Sequence, residues 1–145
     1  MPIQDGLPTP ARYSAMAVIF LGLALAVLDG TIVNLALPGI ARNLHASAAQ
    51  AVWVVNAYQV ATLGLLLPLA TLGDLVGYRR VYLSGVVLFT VASLACALSS
   101  SLLFLATARA IQGLGAAGIM SVNAALLRLI YPKRMLGRGV AINSM

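Results

Sequence analysis

The sequence predicts an all-α transmembrane protein, and three features lead to that class. Of its 145 residues, 61% are hydrophobic and 8% charged, with a mean hydropathy of +0.99. A soluble domain carries about 25% charged residues to cover its surface, so the natural solvent for these side chains is lipid. The apolar residues also fall into runs long enough for a bilayer core about 30 Å thick, which needs roughly 20 residues per helix. Short polar joints holding most of the charges separate those runs, and the length leaves room for four spans.

Met1 to Pro10 holds three prolines, a glycine and an aspartate, so residues 1–12 read as a polar N-terminal tail. Residues 13–145 form the membrane part. Span one covers about 13–37, broken mainly by Asp29, Thr31 and Asn34, and Pro38-Gly39 is its expected end. The connection to residue 50 contains Arg42, Asn43 and a solvated His45, and Ser47 stands where a helix cap belongs. Span two covers about 51–71, with Trp53 near its entrance, where an interfacial indole sits well. Span three covers about 81–98, and Ser99-Ser100-Ser101 is an uncharged turn into span four, about 102–127. A basic loop follows through Arg138, and a fifth helix is expected to start near residue 138.

A secretory signal is the rival reading of the first run, with Arg12 before the apolar core and Ala24-Leu25-Ala26 as a small-residue cleavage site. The run continues past Asp29 to Leu37, too long for a signal core, and three more spans follow. Nine Lys and Arg oppose three Asp, for a net charge of +6. The cations lie between apolar runs and form no stripe with aromatic interleaving, which argues against nucleic acid. With the N-terminus inside, the cytoplasmic segments hold Arg12, Arg79, Arg80, Arg128, Lys133, Arg134 and Arg138, and the outer segments only Arg42. That bias places the N-terminus in the cytoplasm. Cys96 is the sole cysteine, so no intrachain disulfide forms, and it reads as a small apolar filler.

The joint from Ala70 to Val81 carries Asp74, Gly77, Arg79 and Arg80. Gly77 permits the positive φ of a tight reversal, and the arginines suit lipid phosphates. A plain positive-inside turn leaves Asp74 unexplained, because acids add little to topology. Leu72-Gly73-Asp74-x-x-Gly77-x-Arg79-Arg80 resembles the loop signature between helices two and three of the major facilitator superfamily. It departs from that pattern at Ala70, where glycine is usual, at Leu75, where a basic residue is usual, and at Tyr78, where the first arginine is usual. In the family this loop is a cytoplasmic latch whose aspartate faces the second half of the transporter.

Span four places Arg109 inside an apolar helix, at a cost of at least about 2.5 kcal/mol near the membrane centre. At 3.6 residues per turn, Arg109, Gln112, Gly113, Ala116 and Ala117 share a face. Small residues there, with Gly115 nearby, admit a close neighbouring helix and direct the arginine into a bundle. The alternative is an arginine reaching back to the interface. The stretch Arg109-x-x-Gln112-Gly113-x-Gly115 is similar to the helix-four signature of the superfamily's proton-coupled drug exporters. The resemblance implies proton tuning or relay by Arg109, support from Gln112, and helix packing at Gly113, Gly115 and Ala117.

In span one, a buried Asp29 is costly unless neutral, paired or facing water. Loss of water favours the protonated form of such a carboxyl, which suits a proton carrier. Leu28-Asp29-Gly-Thr31-Ile-Val-Asn34-Leu-Ala-Leu-Pro38 resembles the helix-one signature of fourteen-helix drug:proton antiporters. Asp29 shares its face with Gly22, Ala26 and Val33, whereas Thr31 and Asn34 fall about 200° and 140° away. Thr31 also has the option of bonding back to a backbone carbonyl. Trp53-Val-Val-Asn56-Ala-Tyr58-Gln59 resembles the start of helix two in the same antiporters. Asn34, Asn56 and Gln59 become candidate cavity residues, with hydrogen bonding between helices as the alternative for Asn56 and Gln59.

The resemblance covers Ala15 to Met145 in three ordered signatures. It implies four helices and the start of a fifth from the N-terminal six-helix bundle of a major facilitator fold, in the plasma membrane, with a bacterial inner membrane expected. The implied activity is proton-coupled efflux of lipophilic or cationic compounds, by a transporter whose C-terminal half is missing from this chain. The expected partners are membrane lipid, protons and such a substrate. No enzymatic activity, cofactor or metal is expected. The competing classes are a small membrane-embedded subunit and a truncated protein that transports nothing.

Overall fold

A computed structural model describes residues 7–131 and 137. Each apolar run forms one helix: α1 Thr9–Asn43, α2 Ala48–Val76, α3 Tyr78–Ala97 and α4 Leu102–Ile130. All four are long and apolar enough to cross a membrane. The expected start of a fifth helix lies outside the described residues.

The helix ends differ from the sequence expectation for identifiable reasons. α1 begins at Thr9, inside the expected tail, with Pro8 as its N-cap and a proline in its first turn. Proline is tolerated there because first-turn N–H groups lack an intrahelical partner anyway. α1 also runs through Pro38 instead of ending at it, since one missing N–H in a long membrane helix is easily absorbed. The stop comes at His45, whose φ of +51° is left-handed. Its N–H reaches the Arg42 carbonyl, and the Ala46 N–H reaches that of Ala41, so a Schellman pair closes the helix.

Ser47 caps α2 in a reciprocal capping box with Gln50. Gly77 separates α2 from α3 with φ +99°, the positive value the reversal requires. Ser101 accepts the Phe104 N–H and caps α4. α4 gives way at Tyr131 to extended backbone, as expected for a residue that precedes proline, here Pro132.

α4 is the central helix. It packs along both α2 and α3 and more lightly on α1. Glycines set these approaches: a Cβ on Gly115 would meet the Phe89 backbone nitrogen at 2.5 Å, and one on Gly85 would meet the Gly115 carbonyl at 2.9 Å. Gly113 does the same toward α2, where the Tyr58 carbonyl would be 2.5 Å away. Ala117 is fully buried. α4 therefore meets α2 closely at Gly113 and α3 closely at Gly115. Leucine, valine and phenylalanine side chains cover the outward faces. The up-and-down order places Arg12, Arg79, Arg80 and Arg128 at one end and Arg42 at the other. At the former end the Leu7 N–H donates to the Ile130 carbonyl and Arg12 bonds the Leu7 carbonyl, which ties the start of the chain to the end of α4.

Candidate functional site

The small residues of α4 bring its Arg109 face against α1 and α2. The guanidinium forms an ion pair with Asp29, Nη1 to Oδ2 at 2.5 Å, across 80 residues of sequence. Gln112, one turn on, donates its Nε2 to Asp29 Oδ1 at 2.9 Å and accepts Arg109 Nη1 at Oε1 at 2.8 Å. Both carboxylate oxygens therefore have a donor. The Arg109 side chain is 2% exposed and that of Asp29 18%, so the arginine does not reach back to the interface. An arginine in an apolar bundle is stable only with a counter-charge and full hydrogen bonding, and the Asp29–Gln112 pair supplies most of it. Arg109 Nε is buried without a hydrogen-bond partner among the described residues.

Two members of this cluster escape the sequence reading. The Tyr58 ring, from α2, lies under the guanidinium with its centroid 4.3 Å from Arg109 Cζ. Tyr58 is buried, and its hydroxyl points to the Ala26 carbonyl of α1 at 3.5 Å. Thr62, one turn along α2, bonds the carbonyls of Tyr58 and Gly113 and fixes α2 against α4. Cys96, read as a filler, directs its Sγ at Gln112 Oε1 at 3.5 Å. A tyrosine and a cysteine in apolar spans look like packing residues, and only the juxtaposition of four helices reveals their partners.

The other candidates lie apart. Asn34 and Gln59 are exposed and Asn56 half-buried. Among the described residues none of the three makes a side-chain hydrogen bond. Two clefts, of about 560 and 750 Å³, include none of them in their walls. Thr31 bonds back to the Val27 carbonyl at 3.2 Å. At the joint, Asp74, Arg79 and Arg80 are exposed, and the Tyr78 hydroxyl donates to Asp74 Oδ1 at 2.5 Å. Tyr78 thus supplies a donor to the aspartate at the position where the signature has its first arginine. Among the described residues no group of three or more His, Cys, Asp or Glu is placed to hold a metal.

Membrane-length helices packed around an intramembrane ion pair define a multi-pass membrane protein. Residues 19–145 match the family model of the Major Facilitator Superfamily. The chain is 59% identical over 140 residues to the uncharacterized transporter YebQ of Escherichia coli (strain K12), covering 97% of this chain and 31% of that protein. It is 44% identical over 113 residues to the multidrug resistance protein Stp of Mycobacterium tuberculosis (strain CDC 1551 / Oshkosh), covering 78% of this chain and 21% of Stp. Against the drug efflux pump JefA of the same strain the identity is 38% over 134 residues, 92% of this chain and 26% of JefA. The chain belongs to the major facilitator superfamily, and it spans about a third or less of the length of these relatives.

Proposed function

We propose that these helices open the N-terminal bundle of a fourteen-helix drug:proton antiporter, which exports lipophilic or cationic compounds in exchange for protons. The observation that carries this reading is the Asp29–Arg109–Gln112 cluster, an ion pair with a hydrogen-bonded amide between spans one and four. Drug efflux among the relatives supports the substrate class, and the ion pair supports proton coupling. The carboxylate is the one acid within the described spans away from the joint, and its two oxygens are held by two different donors. Either a proton or a cationic substrate displaces Arg109 from Oδ2, so the two ligands exclude each other at Asp29. Mutual exclusion at one carboxylate is what couples inward proton flow to outward drug flow. Gln112 keeps a donor on Oδ1 and an acceptor on Arg109 and stabilises the charged pair between exchanges.

Four arginines at the end that holds the joint orient the N-terminus, the joint and the end of α4 toward the cytoplasm of a bacterial inner membrane. Asp74, with Gly77, Arg79 and Arg80, then forms a cytoplasmic latch that closes against the second half of the transporter, and alternating access comes from rocking of two bundles. Asn34, Asn56 and Gln59, unengaged here, face the cavity between those bundles.

The test is efflux of ethidium and tetraphenylphosphonium, driven by an imposed pH gradient in everted vesicles containing the complete transporter. Asp29→Asn abolishes pH-driven efflux if the reading holds. Undiminished efflux removes Asp29 from coupling and defeats the proposal.

A further inference from the structure

We propose that Tyr58 is a positioning residue for coupling, its ring face holding the Arg109 guanidinium in place while Asp29 exchanges one bound partner for another. The inference rests on the coupling role given above to Asp29 and Arg109.

When Asp29 takes a proton or a cationic substrate, Arg109 loses its counter-ion while still surrounded by apolar chain. Gln112 Oε1 remains one acceptor, and Arg109 Nε has none among the described residues. Among the described residues the other attraction in reach is the π face of Tyr58, 4.3 Å away and shielded from solvent. A cation over a desolvated aromatic face is held strongly enough to matter here. The ring is itself well fixed. Its helix meets α4 at Gly113, where the Tyr58 carbonyl leaves no space for a Cβ, and Thr62 clamps the same turn. The hydroxyl contact to Ala26, at 3.5 Å, is long and contributes little. The ring, not the hydroxyl, is therefore the working part.

The titratable and charged groups around this point are Asp29 from α1, Tyr58 from α2, Cys96 from α3 and Arg109 from α4. With the ring absent, Arg109 samples other positions and returns to Asp29 less readily. Turnover then falls because the cation must be recaptured in every cycle.

The experiment measures pH-driven ethidium efflux by the complete transporter in everted vesicles, with amounts matched by immunoblot. Tyr58→Phe should match the wild type. Tyr58→Leu should lower maximal turnover about tenfold, with KM unchanged. Progressively fluorinated phenylalanines at position 58 keep size and fold while draining the ring face, and turnover should fall stepwise with fluorine number. A flat fluorine series overturns the proposal, as does a Tyr58→Phe defect equal to that of Tyr58→Leu or a Tyr58→Leu effect on KM alone. Asp29→Asn, run in parallel, separates the two readings. Undiminished efflux in that variant defeats the coupling site itself, whereas its loss together with a flat fluorine series defeats Tyr58 alone.

Discussion

Breaking the intramembrane pair from either side gives unequal costs, and a double-mutant cycle measures the coupling. Asp29→Ala strands Arg109, whose side chain is 2% exposed. Removing one partner of a buried pair costs about 3–5 kcal/mol. Gln112 and the Tyr58 ring still engage the cation, which places this variant at the low end, about 3 kcal/mol. Arg109→Leu leaves a carboxyl that is 18% exposed, retains Gln112 and can bind a proton, so about 1–2 kcal/mol is expected. The double variant has no stranded charge and should cost about 2 kcal/mol, well short of the sum, for a coupling of about 2–3 kcal/mol. The assay is unfolding of the purified transporter by SDS titration in mixed micelles, followed by far-UV circular dichroism. Additivity within about 0.5 kcal/mol refutes the reasoning, because it means that the two groups do not sense each other in the membrane.

Further expectations concern packing and the joint. Gly115→Ala places a Cβ 2.5 Å from the Phe89 backbone nitrogen, whereas Gly118→Ala places one 3.1 Å from Gly85 Cα. The first should destabilise by about 2–3 kcal/mol and the second by about 1 kcal/mol or less in the same SDS titration. Gly77→Ala forces a side chain onto φ +99° and should cost about 1 kcal/mol or more. Tyr78→Phe, which removes only the donor to an exposed Asp74, should leave the SDS unfolding midpoint unchanged yet speed proteolysis at the joint.

The sequence made the fold class and most of the central cluster legible for one physical reason. A charge within an apolar run is so costly that Asp29 and Arg109 stand out without any knowledge of their partners, and helical spacing adds Gln112 to the second. Spacing along one helix says nothing about which residues of another lie opposite, so the pairing itself and the Tyr58 ring beneath it emerge only in three dimensions. The contact of Cys96 with Gln112 is hidden for the same reason, since it crosses from α3 to α4. Pro38-Gly39 has the form of a helix stop, but α1 absorbs the proline and ends at the left-handed His45, a residue with no turn signature. A plain positive-inside turn leaves Asp74 unexplained, and Tyr78, a departure from the loop pattern, donates a hydrogen bond to it here.

The central claim is that Asp29 exchanges a proton for a cationic substrate, and direct measurement of proton release tests it most plainly. The purified complete transporter, in weakly buffered detergent solution with a pH indicator, is mixed with tetraphenylphosphonium across a range of pH. The account predicts proton release from the wild type and none from Asp29→Asn. Release of equal size from Asp29→Asn contradicts it.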